Sequence, residues 1–399
     1  MGLNSTPMGE RVHIGFFGRR NAGKSSLVNA FTNQNLSIVS DVKGTTTDPV
    51  YKSMELLPLG PVTIIDTPGL DDEGDLGNLR IKKCMEIVRK VDIAILVIDC
   101  GEGISEEDIK IYEMLRDRNI PTMLVMNKSD KYPDFKLFKH EKIDIPAKNI
   151  LYVSAINGVG IEELKNRVAA SMPEDKEERE IIPSDIGEGD IVVLVIPIDS
   201  SAPKGRLILP QQQVLRGLLD KGAIPVSCRD TELAVTLDEK GIKPKLVITD
   251  SQAFAKVNEV VNGRFPLTSF SILMAKYKGD YEWQLKGASA IDELNDGDKI
   301  LIAEGCTHHR QCEDIGTVKL PKWLKEFTGK DLVFEYCSGL EFKDEDELPS
   351  YKLVIHCGGC MLNEREMKYR VELCKEKGVA VTNYGMAIAK MKGILDIVV

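Results

Sequence analysis

A glycine-rich run, Gly18-Arg19-Arg20-Asn21-Ala22-Gly23-Lys24-Ser25-Ser26, follows the apolar segment Val12–Phe17 directly and leads into a helical pattern of Leu27, Val28, Ala30 and Phe31. The pattern is G-x-x-x-x-G-K-S between a strand and a helix, the context that a phosphate-binding loop requires. Glycines let successive backbone N–H groups wrap an anion at a helix N-terminus, where the helix dipole favours negative charge. Lys24 then reaches the terminal phosphates and the Ser25 hydroxyl holds magnesium. Gly18, Asn21, Ala22, Gly23 and Ser26 complete the loop. A chain with this feature is committed to an α/β domain.

Four further motifs follow in order, three of them just past predicted strands. Gly44-Thr45-Thr46-Thr47-Asp48 offers hydroxyls to magnesium and the terminal phosphate; Thr46 is the candidate ligand and, with Lys24 and Asp66, a candidate catalytic group. A strand at 62–65 ends at Asp66-Thr67-Pro68-Gly69, placing Asp66 beside the magnesium and Gly69 at the nucleotide. A strand at 123–126 ends at Asn127-Lys128-Ser129-Asp130, and one at 152–153 ends at Ser154-Ala155. Asp130 can accept hydrogen bonds from the ring N–H and exocyclic amine of guanine. Adenine would leave those acceptors unpaired, at about 1–3 kcal/mol. Residues 1–172 are therefore expected to form a GTP-binding P-loop domain.

These motifs resemble the TrmE-Era-EngA group of small GTPases. Leu70 stands where Ras-like proteins place a water-orienting glutamine. The resemblance implies a hydrophobic-substituted GTPase with slow intrinsic turnover. Asn21 stands where potassium-activated members of the group bind potassium. Asp71 and Asp72 are read as solvated loop charge or as water-positioning groups.

Residues 173–189 begin with the charge run Pro173-Glu174-Asp175-Lys176-Glu177-Glu178-Arg179-Glu180 and read as an exposed linker. Residues 190–265 alternate strand and helix: an apolar strand at 191–196, a second pairing segment at 206–208, a helix at 211–221, strands at 224–227 and 246–249, and a helix at 251–261. About 80 residues make a small independent core, so this unit is expected to be a dimerisation module. Cys228, alone there, is read as a core thiol.

Residues 266–399 carry most of the soft-ligand chemistry. Of nine cysteines, six lie between Cys306 and Cys374, and three of the five histidines share that segment: His308, His309 and His356. Strands at 299–303, 331–336, 353–355 and 379–382 alternate with helices, which predicts a parallel sheet. Cys306 and Cys357 both fall just past strand carboxyl ends, where such sheets place ligand sites. Two glycines let Cys360 turn back toward Cys357. The spacing C-x-H, 47 residues, H-C-x-x-C is compatible with a closed zinc site, with a 4Fe-4S cluster on three thiolates plus a weaker fourth ligand, or with a thioredoxin-like pair that leaves Cys306 unexplained. Cys312, Cys337 and Cys374 are read as structural.

A TrmE-like GTPase joined to a C-x-H…H-C-x-x-C domain is similar, over the whole chain, to HydF, the maturation GTPase family of FeFe-hydrogenases. The resemblance implies that Cys306, Cys357 and Cys360 bind a 4Fe-4S cluster. It implies a scaffold and carrier for a diiron precursor, built with two radical-SAM maturases and delivered to the hydrogenase apoprotein. His308, His356 and Glu313 are candidates for the fourth ligand, with His309 beside them. The alternatives are a ribosome- or RNA-linked GTPase with a zinc-binding C-terminal domain and a redox-sensing GTPase.

The formal net charge of -10 disfavours a general nucleic-acid binder. The N-terminus lacks an apolar segment of signal-peptide length, and no apolar run approaches the roughly 18 residues of a membrane helix. A cytoplasmic protein that contacts no membrane is expected. Asn21 also yields a first prediction: GTP hydrolysis will be faster in potassium than in sodium salts. Equal rates in the two would remove the potassium assignment.

Overall fold

The computed structural model describes residues 6–33, 49–69, 83–132, 143–172, 180–198, 205, 207–305 and 314–398. Thr45, Thr46, Thr47, Leu70, Asp71, Asp72, Cys306, His308, His309, Cys312 and Glu313 lie outside them. The chain divides into two units, residues 1–176 and 177–399.

In the first unit, β1 (Val12–Phe17), β2 (Val50–Leu56), β3 (Gly60–Asp66), β4 (Ile93–Asp99), β5 (Thr122–Asn127) and β6 (Ile150–Tyr152) form one sheet in the order β2-β3-β1-β4-β5-β6. Only β2, antiparallel to β3, departs from parallel pairing. β4 and β5 are buried along their whole length, as continuous apolar strands covered on both faces should be. Ile14 and Phe16 face one core, with Phe16 edge-on to Phe31 of the helix Lys24–Thr32 at 5.5 Å between centroids. Phe17 and Ile65 face the other, with Ile109 and Leu115 of the helix Glu106–Asp117. Parallel pairing brings the carboxyl ends of β1, β3 and β5 to one edge.

In the second unit, β7 (Ile191–Val195), β8 (Ile224–Cys228), β9 (Leu246–Thr249) and β10 (Leu267–Ser269) form a parallel sheet in the order β10-β9-β7-β8. Because β10 pairs with β9, this sheet continues past residue 265. Leu207 and Ile208, expected to pair beside β7, instead lead into the helix Leu209–Asp220. The Gln211 side chain takes the Ile208 N–H, and Pro210 fits the first helical turn.

A second parallel sheet, in the order β12-β11-β13-β14, comprises β11 (Lys299–Glu304), β12 (Val333–Ser338), β13 (Leu353–His356) and β14 (Ala380–Asn383). Val193 and Val247 of the first of these sheets share one hydrophobic cluster with Ile300, Ile302, Leu353 and Ile355 of the second. The helix Phe270–Lys278 touches both β10 and β14, and the helix Tyr281–Ser289 packs against β14. Gly287 allows the second helix to touch β14, since a Cβ there would lie 2.0 Å from the Val381 carbonyl oxygen. Among the described residues no helix is long and apolar enough to cross a membrane.

His13 on β1 is buried beside Asp92, whose Oδ2 accepts the His13 backbone N–H at 2.9 Å. Burial lowers its pKa to about 4, outweighing the attraction of Asp92, while Lys90 adds to the lowering. The folded pKa lies below the unfolded 6.5, so the unfolded chain binds the proton better. Stability of the first unit is therefore full above about pH 6.5 and falls as pH drops toward 4, by about 3 kcal/mol in all. Calorimetric melts across that window should show the loss, and His13→Gln should remove this contribution to it.

Candidate functional site

The phosphate loop depends on two glycines. At Gly18 (φ +135°) a Cβ would lie 2.3 Å from the Val97 carbonyl oxygen, and at Gly23 (φ +87°) it would lie 2.3 Å from Asn127 Nδ2. Asn21 also takes a left-handed conformation, φ 63°, and is exposed. The buried Lys24 lies across the loop, its Nζ donating to the carbonyls of Gly18 at 2.7 Å and Arg19 at 2.6 Å.

Ser25 and Asp66 meet beside the loop. The Ser25 hydroxyl donates to Asp66 Oδ2 at 2.7 Å, and Asp66 Oδ1 is buried with no hydrogen-bond partner among the described residues. Burial raises the Asp66 pKa; the Ser25 hydrogen bond and the charges of Lys24 and Lys52 oppose it. A hydroxyl beside a buried carboxylate with a free lone pair is a donor set that fits a hydrated divalent cation. The next motif residues close over the loop: Thr67 donates to the Phe16 carbonyl from both N and Oγ1, and a Cβ at Gly69 would lie 2.8 Å from Arg20 N.

Asn127 ties three motifs together. Its Nδ2 donates to the Ala22 carbonyl at 2.9 Å and its Oδ1 accepts from Ala155 N at 3.2 Å. Lys128 pairs with Asp99 at 2.5 Å. Ser129 N donates to the Val153 carbonyl, and Ser154, buried, accepts the Asn157 N–H. Asp130 is exposed beyond them, open to a base. Sequence reasoning missed Arg19. Its Nε lies 3.3 Å from Asp108 Oδ2 and its Nη2 donates to the Gly103 carbonyl at 3.0 Å. The capping box Ser105-x-x-Asp108 was the available signal.

In the second unit, the register pairs Ala303 of β11 with His356 of β13. The Cys357 N–H donates to the Ala303 carbonyl at 2.8 Å, carrying the ladder one residue past β13. Cys357 Sγ accepts the Gly305 N–H at 3.0 Å and the Gly359 N–H at 3.4 Å. Gly305 immediately precedes Cys306 in the chain. Gly359 (φ +62°) takes a left-handed conformation that favours glycine, and a Cβ there would displace Met367, whose Sδ would lie 2.4 Å away. Lys278, buried, donates from Nζ to the carbonyls of Leu362 at 2.9 Å and Cys360 at 3.4 Å.

His356 is 1% exposed and spends both ring nitrogens inside the protein. Arg370 Nη1 donates to Nε2 at 3.0 Å, which fixes the tautomer so that Nδ1 donates to the Cys357 carbonyl at 2.8 Å. Neither nitrogen is left for coordination in this arrangement. Burial and the Arg370 charge lower its pKa to about 3. Arg370 is itself held by Glu366 Oε1 at 2.8 Å, by the Gly339 carbonyl at 2.8 Å and over the Phe342 ring. On the other side of Cys357, Tyr384 donates to Glu304 at 3.3 Å; burial, then the nearby Cys357 and Glu304, push its pKa well up. Cys337 and Cys374 are buried, and burial pushes their thiols up to about 11 and about 12. Among the described residues no group of His, Cys, Asp and Glu side chains forms a metal-binding set; Cys306, His308, His309 and Glu313 fall outside them.

The strand order and the phosphate-loop geometry define the first unit as a P-loop GTPase domain. A family model described as a 50S ribosome-binding GTPase matches residues 13–128. Models described as the hydrogen maturase F dimerization domain and the hydrogen maturase F tetramerization domain match residues 181–279 and 282–399. The chain belongs to the hydrogen maturase F (HydF) family. It is 33% identical over 172 residues to the tRNA modification GTPase MnmE of Aquifex aeolicus, covering 42% of this chain and 36% of that one. It is 33% identical over 172 residues to the GTPase Der of Caldanaerobacter subterraneus subsp. tengcongensis, covering 43% and 39%. The chain thus spans little more than a third of the length of these curated relatives. A crystal structure of an Aquifex aeolicus Era variant bound to GDP.AlF4- matches at 19% identity with a TM-score of 0.34, covering 63% of this chain and 98% of that one.

Asn127→Ala removes two hydrogen bonds that join the loop to the base-recognition motifs. At about 1–3 kcal/mol, guanine-nucleotide affinity should fall roughly 5- to 150-fold in a fluorescent-nucleotide titration.

Proposed function

We propose that this chain is a GTP-hydrolysing scaffold and carrier in the maturation of FeFe-hydrogenase. It would hold a 4Fe-4S cluster on Cys306, Cys357 and Cys360, and pass a diiron precursor, its cargo, to the apoprotein. The observation that carries the reading is the Cys357 corner: a cysteine sulfur at a parallel-strand end accepts the N–H of the residue just before Cys306, within a chain of the hydrogen maturase F family. The same corner supports Cys357 as a sulfur donor, since two backbone N–H groups converge on its Sγ, and Cys360 stands at the end of the same turn. A cluster on three thiolates would supply an iron with an exchangeable fourth position.

The fourth ligand is then sought at His308, His309 or Glu313, because His356 orients Cys357 instead. In the GTPase domain, Ser25 and Thr46 would bind magnesium with Asp66 behind them, Lys24 would neutralise the terminal phosphates and Asn21 would hold potassium. GTP would order the segments carrying Thr45, Thr46 and Thr47 and thereby gate contact with the two radical-SAM maturases and the hydrogenase apoprotein. The working form is a homodimer or larger assembly in the cytoplasm.

Anaerobic purification, iron analysis and a visible spectrum test this reading. Brown protein with about four irons per chain is expected for a 4Fe-4S site; colourless, zinc-loaded protein overturns it. Cys306→Ser, Cys357→Ser and Cys360→Ser should each lose most of the iron while leaving GTP hydrolysis within about twofold of the parent.

A further inference from the structure

We infer that Lys278 is the positioning residue of the Cys357–Cys360 turn and the fixed positive charge that sets the reduction potential of a cluster bound there. The inference rests on the cluster-binding reading above and concerns a residue outside the cysteine motif.

Lys278 ends the helix Phe270–Lys278 and is 2% exposed. Its Nζ donates to the peptide carbonyls of Cys360 and Leu362, so one ammonium holds the end of the turn at two points. The same helix backs the middle of the turn: a Cβ at Gly358 would lie 3.5 Å from Met274 and 3.8 Å from Ser271. Asn383 at the end of β14 donates to the Ser271 carbonyl at 2.7 Å, which fixes the start of the helix against the cluster-side sheet. The helix lies within the segment matching the dimerization domain, whereas the cysteines lie within the one matching the tetramerization domain. One domain therefore supplies the bed on which the cysteine turn of the other rests.

Lys278 directs its hydrogen bonds to peptide carbonyls of the turn itself, in surroundings where water does not screen it. Each electron added to an iron–sulfur cluster makes it more negative. A nearby cation therefore stabilises the reduced form more than the oxidised form, and its removal lowers the potential.

The test is a redox titration of the anaerobically reconstituted full chain, with iron release to a chelator measured in parallel. Lys278→Met should lower the midpoint by about 59 mV, a tenfold change in a one-electron equilibrium, and should speed iron release. Lys278→Gln retains a donor for the carbonyls without the charge. It should lower the potential with little change in release, and it carries the test if the Met variant does not fold. Lys278→Arg should stay near the parent on both readouts. Parent-like potentials in both neutral variants would overturn the inference. A parent protein that holds no iron–sulfur chromophore would instead overturn the proposed function, and it would do so before any variant is made.

Discussion

The hydrogen bond from the Cys357 amide to the Ala303 carbonyl extends the parallel register of β11 and β13 past the end of the strands, and the cysteine corner follows from it. With Ala303 opposite His356, Gly305 arrives at the Cys357 sulfur. A one-residue slip would turn Cys357 to the opposite face of the sheet and His356 out of its buried socket. The register is itself held by apolar burial: Leu301, Ile302, Val354 and Ile355 are fully enclosed. Packing of ordinary aliphatic residues thus fixes where two reactive chain segments approach.

The GTPase domain reaches a comparable result by a different route. Its motifs sit at the ends of β1, β3 and β5, the usual ligand edge of such sheets, yet strand order alone leaves them as separate loops. The Asn127 amide, at the end of β5, joins two of the loops, taking the phosphate loop after β1 on one side and Ala155 on the other. In both units a parallel sheet brings groups within reach, and one well-placed hydrogen bond determines their final spacing.

Much of this was legible in the sequence because the chemistry is local. The loop from Gly18 to Ser26, the Asn127–Asp130 element and the Cys357–Cys360 turn each declare themselves within a few residues, and glycines mark where the backbone must bend. The edge strand β2 was less legible, because a charged residue, Lys52, takes one of the buried places in its alternating pattern. Lys278, Arg370 and Arg19 were the least legible. Each serves a partner that is distant in sequence: Lys278 reaches Leu362, Arg19 reaches Asp108, and Arg370 reaches His356 and Gly339. Lys278 follows the apolar run that ends at Ala275, with Lys276 two residues before it, and periodicity could not say which of the two would be buried or what it would hold.

Arg19 has a consequence of its own. It occupies a variable position of the phosphate loop, yet its guanidinium is moored to the first turn of the helix Glu106–Asp117 through the buried Asp108. A loop that shifts as it grips or releases an anion must either stretch that mooring or carry the helix end with it. Mechanical load at the nucleotide is thereby handed to a surface helix far along the chain, whose outer face is available for another molecule to sense.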